Sequence, residues 1–304
     1  MRNLLDISPA VQAALPRGNV VALETTVVAH GLPYPQNLTT ARDMETIIAR
    51  HGAVPASIAV LGGKARVGLS AAALEELATA SGVLKLSRRD IAACLVQRRP
   101  GATTVAATAY LAHLAGIKVF ATGGIGGVHR APAGVTPTDV SADLPELART
   151  PICVVCSGAK SILDLPATLE WLETWGVPVI GYQTDQLPAF YVRSSGLPLS
   201  LRADTPSRVA ELCRTHWELG TGMGGILVTV PIPDSDALDA ASVETATKQA
   251  LAEAAERGVT GSATTPFVLK RMVELTGGAT LRANIALLRN NAAIAAQIAC
   301  ALAA

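Results

Sequence analysis

Apolar runs alternate with helix-signalled segments along the whole chain. Residues 19–28 are mostly β-branched and apolar and predict a strand. Thr40, with Asp43 three residues on, predicts a capped helix start, and Gly52 a stop. Residues 57–61 read as a strand, Leu74 and Leu77 mark a short helix, and 83–86 read as another strand. A helix over 104–114, stopped by Gly116, leads back to a strand at 117–121. After a long loop come a strand at 152–156, a helix near 168–175 and a strand at 177–182. Thr205-Pro206 and Thr265-Pro266 each predict an N-cap followed by proline at the first helical position. Between them, 225–230 reads as a buried strand and 242–257 as a long helix, and beyond them 281–301 reads as another.

Fully apolar strands separated by helices predict a parallel sheet covered on both faces. The expected architecture is a three-layer α/β/α sandwich around a mostly parallel mixed sheet. No linker composition divides the chain, so one domain over residues 1–304 is expected. Aromatics are only 3% of the residues, which leaves Ala, Val, Leu and Ile to build the core. A formal charge of +1 offers no concentrated basic surface for a nucleic acid polymer or an anionic membrane. Residues 1–19 lack the apolar centre of a signal peptide, and the apolar tail at 292–304 is too short to span a bilayer. Five scattered cysteines then fit a soluble, cytoplasmic protein with reduced thiols. Cys153 and Cys156 form a C-x-x-C inside an apolar run, where strand alternation sends them to opposite faces. They are expected to be a buried pair rather than a redox or zinc site.

Several positions carry possible chemistry. Glu24 interrupts an apolar run, so it is either a strand-end ion-pair partner or a general acid/base whose pKa is raised by apolar walls. Four glycines between Thr122 and His129-Arg130 form either a tight structural turn or a loop whose amides approach an anionic ligand. Asp139, Ser141 and Asp143 share one face if extended, which would suit Mg²⁺ or Mn²⁺; otherwise they form a solvated acidic loop. Lys160 follows a predicted strand, where ligand groups gather in open α/β sheets. It is a phosphate contact, a surface charge or, if desolvated, an imine-forming amine. Lys85 with Arg88-Arg89-Asp90 is either an anion site or a charge cluster at a helix start. Thr103-Thr104-Val105 opens a helix and is either an anion site or a simple cap. Asn284 and the pair Asn290-Asn291 lie on an apolar helix, either satisfying each other or reading a base edge.

In register, these blocks resemble the pseudouridine-5′-phosphate glycosidase (indigoidine synthase A-like) family over nearly the whole chain, from Val20 to the end. The resemblance rests on Leu23-Glu24-Thr25-Thr26, on Ala29-His30-Gly31-Leu32-Pro33-Tyr34-Pro35-Gln36-Asn37, and on Lys85-Leu86-Ser87-Arg88-Arg89-Asp90. It continues through Gly101-Ala102-Thr103-Thr104-Val105, the glycine loop, Asp139-Val140-Ser141-Ala142-Asp143-Leu144 and Ser157-Gly158-Ala159-Lys160. It closes with Thr265-Pro266-Phe267 and Ala283-Asn284.

The resemblance implies reversible conversion of pseudouridine 5′-phosphate and water to uracil and ribose 5-phosphate, with Mn²⁺. It implies Glu24 as proton donor, Lys160 as nucleophile and Asp139 as metal ligand. Lys85, the Val105 backbone, Ser141, Ala142 and Asp143 become substrate contacts, with His129 and Asn284 lining the pocket, the latter against uracil. A homotrimer is also implied. Val230 and Ala131 depart from the family pattern, which has Asn and Gly there. The rival expectations are a related C-glycosidase of a pigment pathway and a non-catalytic sugar-phosphate sensor.

Overall fold

The computed structural model describes residues 4–130, 139–220 and 224–304. Thirteen strands are formed among these: β1 (Leu5–Ile7), β2 (Val20–Leu23), β3 (Val54–Leu61), β4 (Lys64–Val67), β5 (Leu84–Leu86), β6 (Gly101–Thr103), β7 (Val119–Ala121), β8 (Val128–His129), β9 (Cys153–Cys156), β10 (Leu163–Asp164), β11 (Val179–Tyr182), β12 (Leu201–Ala203) and β13 (Ile226–Thr229). Eleven α-helices accompany them: α1 (Pro9–Ala14), α2 (Gln36–Arg50), α3 (Ala71–Thr79), α4 (Ile91–Gln97), α5 (Val105–Ala115), α6 (Asp143–Leu147), α7 (Leu165–Thr174), α8 (Pro206–Glu218), α9 (Ala240–Glu256), α10 (Thr264–Leu275) and α11 (Ala279–Ala303).

The main sheet runs β1-β4-β3-β2-β7-β9-β13-β11-β12, with β6 and then β5 branching from β3. From β3 through β12 every pair on that path is parallel; β3 meets β4 and β6 antiparallel. Strands β2, β7, β9, β13 and β11 are buried at every position, as continuous apolar runs require when both faces are covered. Helices α2, α8 and α11 pack together, with α11 lying on β2, β7 and β9. Helix α5, backed by α6, also packs on β2, β3 and β7, so the sheet is sandwiched between the two groups as expected. A small antiparallel ribbon, β8 with β10, stands apart from the main sheet. The principal core is contiguous from Val11 to Ala299 and is dominated by Ala, Val, Leu and Ile.

Helix α11 matches the long helix expected over 281–301, and its 25 residues are long and apolar enough to cross a membrane by length and composition. It is instead occupied by the sheet and by α2 and α8, as a core helix is. All five cysteines are free; Cys94, Cys153, Cys156 and Cys213 are buried and Cys300 is partly exposed. The neighbouring Cys213 thiol, then burial, raises the Cys153 thiol pKa; burial pushes Cys156 up to about 12.

Three predicted boundaries move, each for a local reason. The strand expected over 19–28 ends at Leu23, because Thr25 and Thr26 turn towards the end of β6. Thr25 donates its hydroxyl to Ile58 C=O (2.7 Å), and Thr26 donates to Thr103 C=O (2.8 Å). A single wide turn follows, closed by Leu32 N–H on Val27 C=O (3.1 Å). Helix α2 starts at Gln36, not Thr40, with its first amides on Pro33 and Pro35 carbonyls; Thr40 is buried inside it. Helix α10 starts at Thr264, so Thr265 lies in its first turn and faces a cavity. Thr104 and Thr205 do cap α5 and α8.

Candidate active site

The carboxyl ends of β2, β7 and β9, the start of α5 and one side of α10 and α11 enclose a cavity of about 370 Å³. Every residue to which the resemblance gives a role lines it: Glu24 and Lys160; Lys85, Val105 and His129; Asp139, Ser141, Ala142, Asp143 and Asn284.

Glu24 follows the last residue of β2. Register pairs Leu23 with Ala121 of β7, so Glu24 and Thr122 leave adjacent strands side by side. The Thr122 hydroxyl donates to the Glu24 carboxylate. Burial raises the Glu24 pKa, opposed by the positive charge of Lys160 and by the Thr122 hydrogen bond. The carboxyl therefore holds its proton to higher pH than a solvated glutamate, which suits a general acid. A hydroxyl cluster braces the turn below it. Thr103 donates to Ile58 C=O (2.6 Å), Thr108 donates to the Thr103 hydroxyl (2.9 Å), and Thr103 N–H donates to Thr25 Oγ1 (3.0 Å).

Lys160 sits on the loop after β9, and its Nζ donates to Gly124 C=O at 2.5 Å. Its backbone is zipped to the glycine loop, with Ile125 N–H on Gly158 C=O (3.1 Å) and Lys160 N–H on Ile125 C=O (3.1 Å). From outside, Arg130 reaches Ser161 C=O (3.0 Å) and Leu163 C=O (3.3 Å) while chelating the Glu244 carboxylate of α9. Burial and the charge of Lys160 lower the Lys85 pKa, while the charges of Asp143 and Glu24 oppose this.

The glycine loop is shaped by protein neighbours. A Cβ on Gly124 would stand 2.7 Å from the Phe190 ring and 3.0 Å from Gly158 C=O; one on Gly126 would stand 2.8 Å from Asp143 Oδ2. Both glycines let the loop press against side chains that form the wall.

Asp139, Ser141 and Asp143 do not share one extended face. Val140 bridges to Val128, Ser141 N–H donates to Gly127 C=O (3.0 Å), and the chain enters α6 at Asp143. Asp143 is 6% exposed and accepts from Ala106 N–H (2.9 Å) and Gly126 N–H (2.7 Å). It clamps the α5 N-terminus to the glycine loop, so a solvated loop is excluded for it. Asp139 remains exposed at the rim, its Oδ2 4.0 Å from His129 Nε2. Among the described residues no cluster of three or more His, Cys, Asp or Glu could cage a metal. One exposed carboxylate does fit a divalent ion that keeps most of its waters, as Mg²⁺ and Mn²⁺ do.

The Arg88-Arg89-Asp90 cluster divides. Arg88 pairs with buried Glu146 (3.1 Å) and stacks on Tyr110, while Asp90 accepts from Ser87 N–H (2.9 Å); both are structural. Arg89 and Ser87 face the cavity. The asparagines of α11 do not satisfy each other. Asn284 lines the cavity, Asn290 donates to Pro231 C=O (3.4 Å), and Asn291 is fully buried against the glycine loop. Val230 is buried and bonded to Cys156 C=O, outside the cavity lining; Ala131 lies outside the described residues.

Sequence reasoning missed Thr122, Phe190 and His30 as parts of the wall. Thr122 and His30 lie inside motifs that carried the resemblance, but nothing in the residue types marked them. Burial, then the nearby Lys85 charge, lowers the His30 pKa and keeps its imidazole neutral.

The sequence model of the family described as "Indigoidine synthase A like protein" matches residues 10–301. The chain belongs to this family. This indigoidine synthase A-like chain is 56% identical over 301 residues to the pseudouridine-5′-phosphate glycosidase of Methylobacterium nodulans, covering 98% of this chain and 88% of the relative. It is 55% identical over 306 residues to that of Paracoccus denitrificans, covering 100% of both. Among solved structures, the prealnumycin C-glycosynthase AlnA in complex with ribulose 5-phosphate superposes with a TM-score of 0.90 at 41% identity, over 99% of this chain and 97% of the other. An indigoidine synthase A-like protein of Thermotoga maritima gives 0.89 at 34%, over 99% and 97%.

Proposed function

We propose that this chain cleaves the C–C glycosidic bond of pseudouridine 5′-phosphate with water, reversibly, giving uracil and ribose 5-phosphate in pseudouridine breakdown. The observation that carries the reading is one cavity holding a proton-retaining carboxyl, Glu24, and a strand-end amine, Lys160. The names of relatives that match along the whole chain support the substrate.

The leaving atom is a uracil carbon, which departs poorly unless protonated, so two ordinary glycosidase carboxylates are insufficient. Lys160 supplies the missing electron sink. Its nitrogen bonds to C1′ as the C1′–O4′ bond breaks, and Glu24 delivers a proton to O4′. The alkylated amine returns a proton to Glu24, which delivers it to C5 as the C1′–C5 bond breaks, and the freed nitrogen lone pair closes a C=N bond to C1′. Water hydrolyses that imine, releasing the free aldehyde of ribose 5-phosphate and restoring the amine. Lys85, Ser141 and the start of α5 at Val105 hold the phosphate, with Ala142 and Asp143 shaping its seat, and so keep the opened sugar in register. Asn284 meets the uracil edge and His129 the sugar. Asp139, beside His129, would hold a hydrated Mn²⁺, which supplies charge stabilisation and ordered water at the rim.

Uracil release from pseudouridine 5′-phosphate tests the reading directly. Borohydride with ribose 5-phosphate should add one sugar phosphate to Lys160, and Lys160→Ala should lose both adduct and turnover. An active enzyme with an unmodified lysine would overturn the mechanism. A second reading, a related C-glycosidase of a pigment pathway with a different partner for the sugar phosphate, is favoured by the C-glycosynthase neighbour AlnA. It predicts sugar-phosphate adduct formation without uracil release. The reading also carries a homotrimer in the cytoplasm, for which sedimentation of the purified enzyme tests the assembly.

A further inference from the structure

Glu24 and Lys160 come from different strands, yet each is hydrogen bonded to one end of a single three-residue segment, 122–124. Glu24 is held by the Thr122 hydroxyl, and Lys160 Nζ by Gly124 C=O. What fixes those three residues comes from a third element. Asn291 of α11 is 0% exposed, and its Nδ2 reaches Thr122 C=O (2.9 Å), Gly123 C=O (3.4 Å) and Ser157 Oγ (3.1 Å). Ser157 is likewise fully buried and begins the loop that ends in Lys160; its N–H donates to Gly123 C=O (2.9 Å). One amide therefore ties the segment that bears on both reacting side chains to the loop that carries the amine.

We propose that Asn291 is a positioning residue, which sets the Glu24 carboxyl and the Lys160 amine in mutual register through residues 122–124 and Ser157. This rests on the functional reading above. The amide acts by direct hydrogen bonds: it supplies the partner of the Thr122 carbonyl at the end of β7 and joins it to the Ser157 hydroxyl. An apolar residue of the same volume would fill the space, leave the Thr122 carbonyl unsatisfied and leave Gly123 C=O to the Ser157 N–H alone. The distance between the proton donor and the amine would then be set by the loop alone.

The test compares Asn291→Ser and Ser157→Ala with Val209→Ala, a core truncation on α8 outside the cavity lining. For each, kcat and KM for uracil release, the pH dependence of kcat, the yield of the borohydride adduct and Tm are measured on folded enzyme. Misplacing a reacting group by about 1 Å costs about a hundredfold in rate. Asn291→Ser is expected to lower kcat about ten- to a hundredfold with KM within about threefold, to shift the pH profile, and to lower adduct yield. Ser157→Ala should do the same to a smaller degree. Val209→Ala should lower Tm but keep kcat. Retention of wild-type kcat and pH profile by Asn291→Ser, or an equal kcat loss in Val209→Ala, overturns the proposal. If Asn291→Ser does not fold, Ser157→Ala decides by the same criteria. Failure of the wild type to release uracil or form the adduct sinks the functional reading itself, and this inference with it.

Discussion

Asp143 offers a measurement that separates a structural clamp from a ligand contact. Its buried carboxylate accepts two backbone N–H groups, from Ala106 at the start of α5 and from Gly126 of the glycine loop. Asp143→Asn keeps the shape but replaces one acceptor oxygen with a donor. One of the two bonds is lost, and an amide N–H then faces a backbone N–H with no acceptor between them. Losing a hydrogen bond to a buried charged acceptor costs about 1.5–3 kcal/mol. Losing a negative charge at a helix N-terminus adds about 0.3–1 kcal/mol. The expected destabilisation is about 3 kcal/mol, or about 6 °C in Tm for a chain of this size. Thermal unfolding without ligand is the assay, and KM for pseudouridine 5′-phosphate is measured alongside. A Tm within about 1 °C of the wild type, with a raised KM, would refute the clamp and leave Asp143 as a substrate contact only.

Other outcomes follow from the same geometry. Thr122→Val removes a donor that favours the ionised form of Glu24, so the Glu24 pKa should rise further. The alkaline limb of the kcat/KM profile should then move to higher pH; a limb that stays in place would remove Glu24 as the proton donor. Because burial raises the Glu24 pKa in the folded state, its contribution to stability is present below the ordinary carboxylate range and is lost as pH rises through the raised value. Glu24→Gln should therefore raise Tm relative to the wild type increasingly as pH rises above the ordinary carboxylate range, and a pH-independent difference would contradict the burial argument. Chelation should lower turnover and added Mn²⁺ should restore it. Asp139→Asn should weaken that restoration, seen also as a weaker Mn²⁺-dependent rise in Tm.

The order of elements was legible because β9, β11 and β13 are unbroken apolar runs separated by signalled helices. Strands β4 and β6 were not. β4 alternates exposed and buried positions around Lys64 and Arg66, and β6 begins at a glycine, so neither reads as a buried strand. Glu24 and Lys160 were legible as charges at the ends of apolar runs. Thr122 was not, since its hydroxyl gains meaning only when register sets it beside Glu24. Asp143 looked like a solvated or metal-binding carboxylate because its partners are backbone amides, which no residue type announces. Asn291 looked like Asn284, two turns away on the same helical face; only the packing of α11 against the sheet assigns one to the cavity and the other to the loop beneath it.

The thiols described with the core make the enzyme its own unfolding gauge. Alkylation needs both a thiolate and an approach, and Cys94, Cys153 and Cys156 are enclosed with elevated pKa values, while Cys213 is enclosed with them. Only Cys300, near the end of α11, is within reach of a reagent while the molecule stays closed. A maleimide should therefore modify one site in the native state and five in denaturant. The lag between the first and the rest would time the opening of the sandwich itself, without any dye, tag or substituted residue.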